Sequence, residues 1–293
     1  MENLLFTQND NNVGQNDYID IVQAVARIKR LIENAIVENG VDGKNNLIRT
    51  QIPICLLHDA AKAEFIRQGV NPNKIKPLYG THLDEQKVAG FFKFKDQDVC
   101  ILPNNLRPQQ EKLTFDGILY GKTDPLGKEY TEHILSVNVR SQLSSIAKNF
   151  DTLYERTFAE ALNLHLRCPQ MVLGEFYMIP VYEYDDAAAK EHRVAFKRNT
   201  KIKEHIIKYI SSFNAVNDRR TTEGQEYKYE RVCLLIVDFR YDTPKIYDNT
   251  EDLINDGLLP RGTQMSINNL NFPTFISTLL NIYESRFGSG RFT

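Results

Sequence analysis

The sequence predicts a three-layer α/β/α protein, a central mixed sheet between two helical layers with a helical N-terminal arm. Three observations carry this reading. Short apolar runs cluster between residues 88 and 247, and segments with helical periodicity lie between and outside them, as a layered domain requires. At 293 residues, 42% hydrophobic and 25% charged, the chain can bury a substantial core. The first 80 residues read as helical, and every expected strand falls in residues 81–293, so arm and core divide there within one compact unit.

Taken in order, the run Asn9-Asp-Asn-Asn12 reads as frayed or loop-like. Apolar residues at helical spacing predict helices over 18–37 and 53–68. After Pro72 and Pro77 the pattern changes, and strands are expected at 88–94 and 99–102, around Lys95-Asp-Gln-Asp98. Residues 113–120 and 133–140 read as two further strands. In a helix over 145–167, Ile146, Phe150, Leu153, Tyr154, Ala161 and Leu164 recur at three-, four- and seven-residue steps. An extended segment at 171–184, a helix at 201–213, strands at 231–239 and 245–247, and a closing helix at 272–286 complete the reading.

The chemistry concentrates in Ser136-Val-Asn-Val-Arg140-Ser-Gln142. On a strand, Leu135, Val137 and Val139 face one way, and Ser136, Asn138 and Arg140 the other. A guanidinium beside an amide is more than a structural strand needs. Glu160 projects from within the apolar stripe of the following helix, where a carboxylate is costly unless paired or bound to a cation. Arg156, one turn earlier, offers the ordinary pairing. Two aspartates precede the strand. Asp116 is favoured as the partner acid, because the short excursion from Gly121 to Glu132 makes its strand a neighbour of the 133–140 strand. Asp98, opening Val99-Cys-Ile-Leu102, competes with it, and either has an ordinary turn-capping role as its alternative.

Other classes find little support. A formal net charge of −2 argues against a wholly basic binder but leaves room for one positive cleft. Cys55, Cys100, Cys168 and Cys233 are scattered, which favours free thiols in a reducing cytoplasm over zinc or disulfides. The six histidines form no close pair, and no Gly-rich phosphate loop or G-x-S-x-G elbow is present. Neither a secretory leader nor a run of membrane-spanning length is expected.

An aspartate, a strand carrying an acidic-x-Lys triplet and then a helix make up the layout of the PD-(D/E)XK nucleases. The run 136–142, the segment Lys148-Asn-Phe-Asp, the helix through Glu155-Arg-Thr-Phe-Ala-Glu160, and the runs 171–180 and 234–239 resemble that core, and type II restriction endonucleases most of all. The likeness spans roughly residues 90–240. It implies Mg2+ held by Asp116 or Asp98 and by Glu160, the second carboxylate having moved from position 138 to the helix, with Arg140 and Gln142 at the scissile phosphate. Arg140 stands where lysine is usual. Arginine holds phosphate but stays protonated and cannot serve as a base, so Lys148 or Lys122 becomes a candidate for the missing ammonium.

The resemblance further implies double-stranded DNA as substrate, a homodimer matched to a two-fold site, and a cognate DNA methyltransferase sharing that site. Base and phosphate contacts are expected from Asn104, Asn105, Arg107, Gln109 and Gln110, from Lys122, Lys148 and Lys201, and from Asn217, Arg219, Arg220 and Thr221. The competing expectation is a DNA-binding protein that keeps the scaffold without cutting, consistent with Asn138 and Arg140.

Overall fold

The computed structural model describes residues 18–198 and 201–290, so the 9–12 run lies outside it. Helix α1 (Ile21–Arg49) starts under a capping box, in which the Asp20 carboxylate accepts from Gln23 N at 2.7 Å and Gln23 Oε1 accepts from Asp20 N at 3.2 Å. The helix outruns the expected end at 37, passing through a break at Gly40, whose φ is 64°. A Cβ there would lie 3.1 Å from the Ala189 carbonyl oxygen, so glycine fits both the left-handed backbone and the space. Helix α2 (Ile52–Arg67) follows with Pro53 in its first turn, where a missing N–H costs nothing.

Strand β1 (Ile75–Lys76) is succeeded by a hairpin of β2 (Gln86–Ala89) and β3 (Phe94–Gln97), then by β4 (Val99–Ile101). The single strand expected over 88–94 is therefore two, with the turn at Gly90-Phe-Phe-Lys93. The strand expected over 113–120 is absent. In its place a loop is closed by the two-residue strands β5 (Glu111–Lys112) and β6 (Thr123–Asp124). Its apolar residues are explained otherwise: Leu113 and Leu119 form a small satellite core with Ala89, Phe94 and Phe115. Helix α3 (Lys128–Glu132) leads to β7 (Leu135–Ser141), α4 (Phe150–His165), β8 (Val172–Pro180), α5 (Asp186–Lys190), α6 (Ile202–Val216), β9 (Arg231–Asp238), β10 (Lys245–Tyr247), α7 (Thr250–Asn255) and α8 (Phe275–Phe287).

Six strands form one mixed sheet in the order β1-β4-β7-β8-β9-β10, with β7, β8 and β9 parallel and the other pairings antiparallel. Parallel neighbours need crossovers, and the connections containing α4 and α6 supply them. The two faces carry separate cores. Val137, Val139, Phe176 and Leu235 pack against α1, α2 and α8, whereas Leu173, Tyr177, Leu234 and Ile236 pack against α4 and α6. The result is the three-layer α/β architecture with N-terminal helices that the sequence predicts. Strands β8 and β9 are buried along their full length, which accounts for their continuous apolar runs. Among the described residues, no helix is long and apolar enough to cross a membrane.

Candidate active site

The pleat of β7 delivers the expected division. Val137 and Val139 enter the core beneath α1 and α2, which turns Asn138 and Arg140 toward α4. The neighbours of β7 are β4 and β8, not the 113–120 segment, and this places Asp98 rather than Asp116 beside β7. Asp98 sits between β3 and β4, where its Oδ2 accepts a hydrogen bond from Val139 N at 2.7 Å. Asp116 lies in an exposed turn and has no strand to carry it to the site. Burial pushes the Asp98 carboxyl above its usual range, while the Val139 N–H and the Lys95 and Arg140 charges pull the other way.

Glu160 is ion-paired twice. Its Oε1 lies 3.0 Å from Lys95 Nζ, and its Oε2 accepts from Arg140 Nη2. Arg156 lines the same cavity, but the cations on Glu160 are Lys95 and Arg140. Arg140 reaches further: Nη1 donates to Thr157 Oγ1 at 3.0 Å and lies 3.0 Å from Glu175 Oε1. Burial works against the guanidinium charge, yet Glu175, Tyr229 and Glu160 outweigh it and raise the Arg140 pKa. Lys93, Lys95, Asp98, Arg140, Arg156 and Glu160 line a cavity of about 330 Å³. Three separate parts of the chain thus bring two acids and several cations to one opening.

Beneath this opening lies a residue that the strand and helix patterns did not single out. Glu175 is fully buried on β8, directly opposite Asn138 in register. Burial pushes its carboxyl up to about 7, with Arg140 pulling it down. Both Glu175 oxygens and Asn138 Oδ1 are buried and accept no hydrogen bond of good geometry. The Tyr229 hydroxyl, which donates to the Thr157 carbonyl at 2.9 Å, stands beside Glu175 and also favours its charged form. A lone carboxylate inside the apolar run 172–180 was the signal in the sequence. For Lys95 the signal was Phe92-Lys-Phe-Lys95, an alternation that places both lysines on one side of a strand just before Asp98.

The remaining expected residues sit elsewhere. The Gln142 side chain is buried and donates to the Ser144 carbonyl. Lys122 and Lys148 are exposed in turns, and Lys95 occupies the position in the cavity that they were expected to fill. Asn105, Arg107, Gln109 and Gln110 are exposed in the loop before β5, Asn104 is half-buried there, and Lys201 is exposed at the start of α6. Two expected DNA contacts are structural. Asn217 is buried, accepting from Val232 N at 2.7 Å and donating to the Asn269 carbonyl at 3.1 Å. Arg219 is buried on Glu230 at 3.1 Å and the Pro169 carbonyl at 2.8 Å. Of that loop Arg220 and Thr221 are exposed, and Arg220 holds Asp218 at 2.7 Å.

The two acids at the cavity, Asp98 and Glu160, offer oxygen ligands, which suits a hard divalent cation, and four cationic side chains, Lys93, Lys95, Arg140 and Arg156, line it with them. The Glu175 and Asn138 oxygens that accept no bond are consistent with such a site, and Asp98 commits Oδ2 to Val139 N. Among the described residues, however, no three His, Cys, Asp or Glu side chains are gathered as a ready-made metal cage. The Arg140 guanidinium lies between Glu160 and Glu175 instead. No protein-family model matches this chain, and neither the curated proteins nor the solved structures include a match.

Proposed function

We propose that this chain is a divalent-metal-dependent nuclease that cuts double-stranded DNA at specific sites, in the manner of a type II restriction endonuclease. One observation carries the reading: Asp98, Arg140 and Glu160, from a strand mouth, a neighbouring strand and the helix after it, line one cavity together with Lys95. Asp98 and Glu160 are the residues that would hold Mg2+. When bound, Mg2+ supplies charge neutralisation at the phosphate and lowers the pKa of a coordinated water. The Val139 N–H fixes the Asp98 carboxylate. Arg140 fixes Glu160 and offers the phosphate a planar pair of donors, but it holds its proton throughout. Lys95, held on Glu160 at 3.0 Å, and Lys93 add ammonium charge at the cavity for the phosphate. A homodimer in the cytoplasm and a methyltransferase sharing the target site belong to the same reading.

A second reading rests on a specific observation. Arg140 already neutralises Glu160 and lies against Glu175, as expected of a DNA-binding scaffold that has given up its metal. Digestion of one large phage DNA in Mg2+ separates the two. Discrete bands support site-specific cutting, and a smear supports a nonspecific nuclease. Unchanged DNA in both Mg2+ and Mn2+ overturns the nuclease reading and leaves the binder.

A further inference from the structure

The hairpin turn between β2 and β3 is clamped to the helix that carries Glu160. The Asn163 side chain accepts from Phe92 N at 2.7 Å and Lys93 N at 3.0 Å and donates to the Lys93 carbonyl at 3.1 Å, while Phe91 N donates to the Asn163 carbonyl at 2.6 Å. A Cβ at Gly90 would sit 2.3 Å from the Asn163 amide, so the turn closes on α4 only because glycine is there. Phe91 stacks on Phe115 at 5.1 Å, and the satellite core of Ala89, Leu113 and Leu119 joins this turn to the 113–121 loop. Outside the core, Phe92, Ile118 and Tyr120 are 48%, 79% and 66% exposed. Leu83, Val37 and other large apolar residues are exposed singly elsewhere, but these three share two loops that one small core ties together.

The charge around them narrows the partner. Lys93, Lys112 and Lys122 are exposed on the same two loops, and Lys87 is exposed but paired with Asp96 at 3.6 Å. Asp116 is exposed on the second loop, and Asp84 and Glu85 are exposed just before β2. Lys93 and Lys95 continue the basic row into the cavity of Asp98 and Glu160. A polyanion lying along the row is led to that cavity. A lipid surface has no use for it.

Building on the nuclease reading, we propose that Phe92, Ile118 and Tyr120 form an apolar wedge that packs into the bases of duplex DNA, while the flanking lysines hold its phosphates and present the strand to the cavity. Wedges of this kind partly unstack base steps, and base–aromatic stacking is sequence-tolerant.

The test is binding of a labelled 40-base-pair duplex of mixed sequence to the full chain, in EDTA so that nothing is cut. Replacing the three together (Phe92→Ser, Ile118→Ser, Tyr120→Ser) is expected to raise Kd about tenfold or more with the salt slope unchanged. The pair Lys93→Gln and Lys122→Gln is expected to reduce the slope by about two. All five side chains are exposed, and an unchanged circular dichroism spectrum establishes that each variant is folded. An unchanged Kd in the apolar triple overturns the wedge. So does a wild-type chain that ignores the duplex or prefers phosphatidylserine vesicles to it. Wedge-dependent binding without any cutting in Mg2+ supports the wedge and counts against the nuclease reading alone.

Discussion

Two buried glutamates, Glu230 and Glu175, lie near one another behind α4, and their surroundings differ in one respect. Glu230, just before β9, has every oxygen satisfied: Oε1 meets Arg219 at 3.1 Å and Arg286 at 2.8 Å, and Oε2 accepts from Leu173 N at 2.8 Å and faces His165 at 3.5 Å. Burial alone would raise its pKa, but His165, Arg286 and Arg219 beside it bring the carboxyl down to about 2. Glu175 is equally buried, has Arg140 as its cation and accepts no good hydrogen bond, so burial prevails and its carboxyl rises to about 7. A fully satisfied acid is an internal staple. One left short of donors, under a cavity holding two further acids, is the kind of perturbed group that marks a functional centre.

The comparison breaks most sharply at Glu160. Glu160→Gln should lower the rate of DNA cutting by at least about a thousandfold, the effect expected when one metal-holding carboxylate is lost, and lower the melting temperature less than Glu230→Gln does, since Arg140 keeps Glu175 as a counter-charge. Cutting that survives in the variant would remove Glu160 from the centre.

At the closed cluster the effect falls on folding. Glu230→Gln leaves Arg219 buried without its counter-charge and should cost about 3–5 kcal/mol, a fall in Tm on the order of 10 °C. Calorimetry showing a shift under a degree or two would mean that the staple is ornamental.

The pH dependence sharpens the contrast because the signs oppose. Glu230 has a depressed pKa, so its contribution is present above the ordinary 4.5 and is lost as pH falls toward about 2. Glu175 has a raised pKa, so the folded state binds the extra proton, and stability falls as pH rises from 4.5 through about 7. Glu175→Gln should flatten that second limb, by up to ~3 kcal/mol, in denaturant melts between pH 4.5 and 8. An unaltered limb would place the titrating group elsewhere.

The smallest effect is expected at Arg220, whose pair with Asp218 is exposed: Arg220→Ala should change stability by less than about 0.5 kcal/mol. A large loss would mean that the loop after α6 is anchored through it.

Much of this contrast was legible beforehand, and the rest was hidden for identifiable reasons. Strands β7, β8 and β9 and helix α4 carry strong periodicity or long apolar runs, so their type, and with it the placement of Arg140 and Glu160, follows from spacing. The Gly90–Lys93 turn was hidden by two phenylalanines that extend an apolar run straight through it. In 113–120 Leu113, Phe115 and Leu119 serve a satellite core, which mimics a strand and drew attention to Asp116. Asn217 and Arg219 look like loop chemistry because their partners, Asn269, Pro169 and Glu230, are brought to them only by the fold. Register, likewise, is what sets Glu175 beside Asn138.

Mn2+ binding tests the open cluster most directly, since the ion's electron paramagnetic resonance signal falls when it leaves water for an oxygen-ligand site. The wild-type chain should take up Mn2+ with a loss of free-ion signal that Asp98→Asn abolishes. Equal uptake by wild type and variant, or none by either, would contradict the account.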